Sequence, residues 1–278
     1  MKSCTTFAKN NITSIAIGGF DGMHLGHQAL FDALDTNGAI VVIQTPYENL
    51  TPNKYRCAKT TIPLVFYPLD EIKHLKGEEF LDLLLEEFPK LKRIVIGFDF
   101  CFGANRSYCI KELKELFFGE VVVIDEIKNN TIGIHSRTIR QYLQEGQIKK
   151  ANNFLGYNYE IEGLIIKGQG LGQKQFVPTF NVEVNQFLIP AHGIYITKTK
   201  IDNIYYPSVS FIGHRVTTDG NFAIETHILD KKISTNNHKL QIQFIQKLRD
   251  NQKFENFSLL KQQILKDIED TKQYFNQY

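Results

Sequence analysis

The first 155 residues alternate short, wholly apolar segments with segments of helical periodicity, and this alternation restricts the fold more than any other feature. The apolar segments are SIAIGGF, AIVVIQT, PLVFYPL, RIVIGFDF and EVVVIDEI, and the helical ones are HQALFDAL, GEEFLDLLLEEF and IKELKELF. Strands that are apolar on both faces need helices on both sides of their sheet. The pattern therefore predicts an α/β domain built on a parallel sheet.

The pattern changes near residue 155. SRTIRQYLQEGQIKKANNFLG predicts two short helices that are broken near Gly146. Downstream, about six short segments with partial two-residue alternation predict a small antiparallel β-barrel. The tail places Leu260, Ile264 and Ile268 at helical spacing, which predicts a C-terminal helix packed on the barrel. We therefore expect two domains, residues 1–155 and 156–278.

Charge and composition exclude several classes of protein. The net charge is +2, and the downstream half is near neutral, whereas nucleic-acid-binding proteins typically carry a large excess of basic residues. The apolar segments are too short to span a bilayer, and the first residues lack the apolar core of a secretion signal. The four cysteines form no CxxC pair, so we expect neither a zinc site nor a redox dithiol, and a cytoplasmic location. The sequence does not indicate an oligomeric state.

The segment GGFDGMHLGHQAL (Gly18–Leu30) connects a predicted strand to a predicted helix. Backbone N–H groups at a helix N-terminus bind anions, and glycines let a phosphate approach the backbone. His24 and His27 are three residues apart and face the same way on a helix, so both imidazoles could donate hydrogen bonds to phosphate. The alternative interpretation is a glycine-rich turn that carries two surface histidines.

Several segments resemble, in order, the motifs of one family. FDGMHLGH resembles the nucleotide-binding signature of the nucleotidyltransferase superfamily, in the form GxFDGxHxGH of the bacterial bifunctional riboflavin kinases/FAD synthetases. VIGFDFCFG resembles that family's GxDFxFG block, and IHSRTIRQYLQEG resembles SSTxIRxxLxxG. PTFN resembles PTAN, SVSFIGHR resembles SxxxIGxRPT, and IETHILD resembles ExHLLD. The matches run in order from Gly18 to Ile268, so the series is more specific than any one motif.

The resemblance implies a Rossmann-like nucleotidyltransferase domain, the FMN adenylyltransferase (FAD synthetase), followed by a riboflavin kinase barrel. The first domain would transfer AMP from ATP to FMN, giving FAD and pyrophosphate. By the same resemblance, His24 and His27 would be catalytic, and a further group would bind nucleotide or phosphate: Gly19, Phe20, Asp21, Gly22, Gly97, Asp99, Ser136 and Arg140. On the residues alone, Asp99 could be a turn residue at a strand end, and Arg140 a solvated helix charge.

The barrel would convert riboflavin and ATP to FMN and ADP. Because a ribityl hydroxyl is a neutral nucleophile, a base helps, and Glu225 is the matching residue. Thr179 and Asn181 match the family's Mg²⁺ and phosphate ligands. Gly168, Gly170, Gly172 and Lys174 of KGQGLGQK would enclose ATP phosphates. The alternatives are an exposed strand glutamate, a proline-initiated turn and a flexible loop, respectively.

The chain departs from the family pattern in places that affect nucleotide affinity rather than fold. Gln44–Glu48 replaces FDPHP, Ser136–Thr138 alters the SST block, and Phe176 and Phe180 replace small residues around PTFN. Three alternative functions follow: a riboflavin kinase with a weakened or inactive adenylyltransferase half, a related transferase with another phosphorylated substrate, and a non-enzymatic flavin- or nucleotide-binding regulator. The near-neutral charge disfavours an oligonucleotide-binding barrel.

Overall fold

A computed structural model of the chain describes residues 2–3, 9–46, 49–166, 177–217, 219–231 and 233–277, without the side chains of residues 2, 3, 53 and 54. The chain divides into two compact units, residues 1–136 and 137–278. No helix in the described ranges is both long and apolar enough to cross a membrane.

The first unit contains strands β1 (Lys2–Ser3), β2 (Ser14–Gly18), β3 (Gly38–Gln44), β4 (Leu64–Pro68), β5 (Arg93–Gly97), β6 (Cys101–Phe102), β7 (Tyr108–Cys109), β8 (Glu120–Ile124), β9 (Lys128–Asn129) and β10 (Ile132–Gly133). Its helices are α1 (Leu25–Asp32), α2 (Leu69–Ile72), α3 (Gly77–Glu87) and α4 (Ile110–Leu116). The main sheet has the order β1-β4-β3-β2-β5-β8. Its strands are parallel except for the short edge strand β1, which is antiparallel to β4.

Both faces of this sheet are buried, as the apolar segments predict. Ile15, Ile17 and Val41 belong to one core, which α3 and α4 cover through Phe80, Leu84 and Leu113. The alternate residues Ala16, Ile40 and Val42 belong to a second core, which α1 covers through Leu30 and Phe31. Alternating side chains therefore serve two cores, which confirms the predicted α/β fold.

The strand order reverses at β2. The chain proceeds from β2 to β3 and β4 on one side and then returns to place β5 on the other side. In open α/β sheets, ligands bind beyond the carboxyl ends of the strands at such a reversal. The segments that follow Gly18 of β2 and Gly97 of β5 both leave the sheet at this position.

Among the described residues, Cys101 and Cys109 pair with each other, although the sequence was expected to hold neither a zinc site nor a redox dithiol. Cys101 and Cys109 are opposite each other in the β6–β7 hairpin, with Cα atoms 4.1 Å apart, and are joined by a disulfide. The sequence analysis missed this pair because it considered only the CxxC spacing, whereas a hairpin brings together cysteines that are eight residues apart.

The second unit contains helices α5 (Ser136–Gln144), whose first residue closes the first unit, α6 (Ile148–Leu155) and α7 (Phe257–Gln277). Gly146, at φ 73°, separates α5 from α6 as predicted. The strands are β11 (Glu160–Ile166), β12 (Phe180–Glu183), β13 (Gly193–Ile201), β14 (Ile204–His214), β15 (Phe222–Ile228) and β16 (Lys239–Arg249). They form a closed barrel of order β11-β12-β15-β14-β13-β16, which confirms the predicted barrel.

Helices at both ends of the second unit pack on the barrel. Helix α6 contacts β16, and α7 contacts β14. Ile268 of α7 is buried, and two nitrogens of Arg249 donate to the carboxylate of Asp267 at 2.8 and 2.6 Å. The compact units divide upstream of the predicted boundary at residue 155, which stays a prediction for the limits of the functional domains.

The barrel interior contains a closed ring of five buried hydroxyl groups. Neighbouring oxygens in the ring are 2.8 or 2.9 Å apart, in the order Thr197, Ser208, Thr199, Thr226, Ser210 and back to Thr197. All five residues are at most 1% exposed. A buried polar network stabilises a fold only when every member has a partner, as here. The ring therefore holds β13, β14 and β15 in register around the centre of the barrel.

We predict that Thr199→Val, which keeps the shape of the side chain, lowers the free energy of unfolding of the second unit. Its two hydroxyl neighbours would each lose a partner in a buried site, at a cost of about 1–3 kcal/mol. Urea unfolding measures the change. Thr131→Val, at an exposed turn position, is the matched control. Equal stability of the two variants would contradict a stabilising role for the ring.

Candidate active sites

The turn after β2 adopts an unusual backbone conformation. Phe20, Gly22 and Met23 have φ values of 51°, 88° and 43°. Positive φ is unfavourable for Phe and Met, and such residues cluster at functional sites. Both side chains are buried in the core under α1, which offsets the cost of the turn. The turn therefore fixes the position of the N-terminus of α1 beyond β2. Gly19, the first residue of the turn, is exposed.

The two histidines meet at the N-terminus of α1. His24 is the N-cap, and its Nδ1 accepts a hydrogen bond from the backbone N–H of His27 at 3.3 Å. The rings are stacked, with centroids 3.5 Å apart. A Cβ on Gly26 would lie 3.2 Å from the His24 ring and 3.1 Å from the Ile134 carbonyl oxygen, so a side chain here would require the His24 ring or the Ile134 backbone to shift.

Both imidazoles are neutral at physiological pH. Burial, followed by the nearby charge of His135, lowers the pKa of His24 to about 3. Burial also lowers the pKa of His27 well below its usual value, and His24 and Arg56 add to the effect. Because Nδ1 of His24 accepts a hydrogen bond, its proton is on Nε2. Within the described residues, the buried Nδ1 of His27 has no hydrogen-bond partner, so a ligand atom at this position would be stabilising.

Asp21 connects the turn to two other segments. Its carboxylate accepts the backbone N–H groups of Leu50 and Thr51 at 3.1 and 2.9 Å and lies 3.7 Å from the guanidinium of Arg56. The hydroxyl of Ser136 donates to the Asp21 carbonyl at 2.7 Å. The structure thus brings together two of the predicted residues, Asp21 and Ser136. It adds the fully buried Arg56, which no motif in the sequence distinguishes.

The remaining predicted residues of the adenylyltransferase site lie in two places. Gly97 ends β5, and a Cβ there would lie 3.4 Å from Oδ1 of the exposed Asp99. The Phe98 N–H donates to the Ile124 carbonyl of β8 at 3.0 Å, which fixes this loop beyond the sheet. Arg140 lies on α5, one turn after Ser136, and belongs to the second unit.

A second polar cluster lies on the barrel. Asn181 of β12 and Glu225 of β15 are directly opposite in the strand register. One guanidinium contacts both, because Arg215 donates from Nε to Glu225 Oε1 at 2.7 Å and from Nη2 to Asn181 Oδ1 at 2.8 Å. A guanidinium only donates, so the amide atom that faces it is the oxygen. The predicted base and the predicted metal ligand are therefore neighbours.

His227 lies two residues from the predicted base Glu225, and the sequence assigned it no role. Its Nδ1 lies 2.7 Å from the carbonyl oxygen of Pro178, and a carbonyl accepts, so the ring nitrogen donates. This bond fixes the segment before Thr179 against β15, two residues along from Glu225. The ExH spacing in IETHILD was the only signal of this contact.

Thr179 and Asn181 present oxygen donors of the kind that magnesium prefers. A hydroxyl and an amide oxygen lie two residues apart, and Mg²⁺ takes few protein ligands because it keeps waters and binds phosphates. The Asn181 oxygen has two lone pairs, of which Arg215 uses one. Across the described part of the chain, no group of three His, Cys, Asp or Glu residues could hold a metal. The predicted phosphate-binding residues Gly168, Gly170, Gly172 and Lys174 lie outside the described residues.

Comparisons with known proteins confirm the family resemblance. A riboflavin kinase family model matches residues 155–275, and an FAD synthetase model matches residues 6–46. A bifunctional riboflavin kinase/FMN adenylyltransferase of Buchnera aphidicola (strain APS) is 32% identical, with 96% of this chain and 95% of the relative covered. Proteins of the same description from Listeria monocytogenes and Escherichia coli are 28% and 25% identical, each with 94% of this chain and 92% of the relative covered. A solved structure from Streptococcus pneumoniae, described as a macrolide-efflux protein, has a TM-score of 0.82 and 25% identity over 94% of each chain, which confirms the fold.

We predict that the protein loses stability as the pH falls below about 6.5. The unfolded chain takes up a proton on His24 near the ordinary histidine pKa of 6.5, whereas the folded chain does so only near a pKa of about 3. This histidine therefore contributes stability above pH 6.5 that is lost between these two values, at up to about 1.4 kcal/mol per pH unit. Urea unfolding at pH 7.5, 6.5 and 5.5 gives the slope, which should be smaller in His24→Gln. His74→Gln removes an exposed histidine of the same unit and should keep the parent slope; equal slopes in all three proteins would contradict the burial argument.

Proposed function

Because the chain belongs to the family of bifunctional riboflavin kinases/FMN adenylyltransferases, we propose that it converts riboflavin to FAD in two ATP-dependent reactions. The second unit phosphorylates riboflavin to FMN. The first unit transfers AMP from ATP to FMN and releases pyrophosphate. The observation that carries this proposal is that each unit has its own polar cluster, the paired histidines in one and the Asn181–Glu225 pair in the other.

Adenylyl transfer requires alignment and charge stabilisation rather than a base. The nucleophile is the phosphate of FMN, which is already an anion. His24 and His27 are neutral, so they act as hydrogen-bond donors to phosphate oxygens and keep their protons during the reaction. Ser136 adds a donor to the phosphates, and Gly97 and Asp99 contact the adenosine end; the phosphate-binding role of Arg140 rests on the family motif alone. The turn of Gly19, Phe20, Asp21 and Gly22 places the α1 N–H groups beside the phosphates.

Riboflavin phosphorylation has a neutral nucleophile, the terminal ribityl hydroxyl. Glu225 accepts its proton as the oxygen attacks the γ-phosphate of ATP. Thr179 and Asn181 would hold magnesium, which supplies charge neutralisation at the phosphates when it is bound. His227 maintains the PTFN segment beside Glu225 through Pro178. The family resemblance assigns Gly168, Gly170, Gly172 and Lys174 to binding of the ATP phosphates.

The partners that this function requires are small molecules: riboflavin, FMN, FAD, ATP, ADP and pyrophosphate. Neither reaction requires a nucleic acid or a membrane. We propose a cytoplasmic location, where Cys101 and Cys109 would be reduced to a dithiol.

A second candidate function is a riboflavin kinase whose first unit has weak adenylyltransferase activity. The FAD synthetase model ends at residue 46, within the segment Gln44–Glu48 that departs from the family pattern. Against this candidate, the histidine pair and its turn are intact, and burial keeps both rings in the neutral donor form.

We predict that His27→Ala lowers FAD formation from supplied FMN and ATP by about 10²–10³-fold, because it removes one preorganised phosphate donor. FMN formation from riboflavin should remain at the parent rate. Chromatographic separation of the flavins measures both rates. His74→Ala, at an exposed position of the same unit, is the control and should change neither. An equal fall in both reactions would argue against separate sites.

The reciprocal variant, Glu225→Gln, should lower the kcat of riboflavin phosphorylation by about 10²–10⁴-fold, because it keeps the side-chain shape and removes the base. The KM for riboflavin should change little, since the base acts in the transition state. FAD formation from FMN should persist. Glu183→Gln, at an exposed glutamate of β12, is the matched control. A parent rate in Glu225→Gln would show that Glu225 is only a strand glutamate.

A further inference from the structure

We propose that Arg215 is a positioning residue of the kinase site, which fixes the side chains of Glu225 and Asn181 relative to each other. This inference rests on the proposed function of the second unit, because it gives Arg215 a part in riboflavin phosphorylation. Arg215 is the arginine of the SVSFIGHR match to SxxxIGxRPT, and the sequence analysis assigned it no role.

Three nitrogens of the Arg215 guanidinium contact three segments of the barrel. Nε donates to Glu225 on β15 at 2.7 Å, Nη2 to Asn181 on β12 at 2.8 Å, and Nη1 to Asp219 in the β14–β15 connection at 3.1 Å. The backbone of Arg215 is also held, because its N–H donates to the Asn221 carbonyl at 2.9 Å and its carbonyl accepts from Gly220 at 3.1 Å. Because the backbone of Arg215 and three of its guanidinium nitrogens are hydrogen-bonded, the side chain has little conformational freedom.

The backbone alone cannot provide this arrangement. The β12–β15 register places the Cα atoms of Asn181 and Glu225 opposite each other, but their side chains can still rotate into several staggered conformations. Hydrogen bonds to one rigid, planar group select a single conformation for both side chains. Loss of Arg215 would leave the strands paired while it releases the carboxylate that accepts the proton and the amide that faces the phosphates. The expected defect is therefore in the rate of transfer.

Charge gives Arg215 a second, separable effect. A carboxylate next to the triphosphate of ATP repels it, and a guanidinium bonded to that carboxylate offsets the repulsion. The Arg215 and Glu225 side chains are 19% and 24% exposed, so solvent screens this pair less than it screens a pair at the open surface. A lysine at position 215 would retain the positive charge, but its single ammonium group lacks the planar fork that bridges Glu225 and Asn181.

The experiment compares Arg215→Met and Arg215→Lys with the parent full-length protein, using steady-state riboflavin phosphorylation and calorimetric titration with Mg·ADP. Arg215→Met should lower kcat by about 10²-fold, as misplacement of reacting groups does, and raise the KM for ATP and the Kd for Mg·ADP by about fivefold. Arg215→Lys should restore both ATP-related constants toward the parent values, while kcat stays about tenfold or more below the parent. The KM for riboflavin should stay near the parent value in both variants.

Arg249→Met is the control, because it removes an arginine–aspartate pair of the same unit outside the site. It should lower Tm and leave kcat and both KM values unchanged. If Arg215→Met does not fold, Arg215→Lys alone decides through its low kcat with a near-parent KM for ATP. Parent kcat in Arg215→Lys, or equal kinetic losses in Arg249→Met and the Arg215 variants, would overturn the inference alone. A parent protein that forms no FMN would overturn the proposed function and this inference with it.

Discussion

Burial of β2 on both faces is the constraint on which the first unit depends. Ile15 and Ala16 are completely buried on opposite sides of the sheet, so a shift of β2 by one residue would exchange the two cores. The carboxyl end of the strand is therefore fixed. The turn that follows adopts positive φ at Phe20 and Met23, and the burial of those two side chains offsets its cost. This burial fixes the position of the histidine pair, and the burial of the two imidazoles themselves lowers their pKa values and keeps them neutral.

The second unit uses a different constraint for the same purpose. Its strands are held in register by the ring of five hydroxyl groups inside the barrel, of which Thr226 on β15 is a member. Glu225, the preceding residue, points to the opposite face of the strand, where Asn181 and Arg215 contact it. The fully hydrogen-bonded hydroxyl ring inside the barrel thus fixes the position of the polar cluster outside it. The histidine pair and the Asn181–Glu225 pair thus each depend on the core of their own unit.

The sequence predicted the elements well where burial leaves a local pattern. The wholly apolar segments form the central strands of the sheet. The apolar faces of α1, α3 and α4 pack on these strands. The histidine pair and the Asn181–Glu225 pair came from motifs. The sequence analysis assigned no role to Arg56, Arg215 and His227, because periodicity does not mark a polar residue whose partners are distant in sequence. Arg215 and His227 nevertheless stand within the SVSFIGHR and IETHILD matches. The sequence analysis also missed the hydroxyl ring, since alternating residues such as those of TKTK normally indicate a solvent-facing polar side, and here Thr197 and Thr199 face inward.

The central claim is that two chemically independent sites act in sequence through free FMN. Mixing the His27→Ala and Glu225→Gln proteins in one reaction with riboflavin, ATP and magnesium tests this claim most directly. Each variant alone should form little FAD, because one lacks adenylyl transfer and the other lacks riboflavin phosphorylation. The account predicts that the mixture forms FAD after a lag in which FMN accumulates. A mixture that forms no more FAD than either variant alone, although each variant retains its other reaction, would contradict the account.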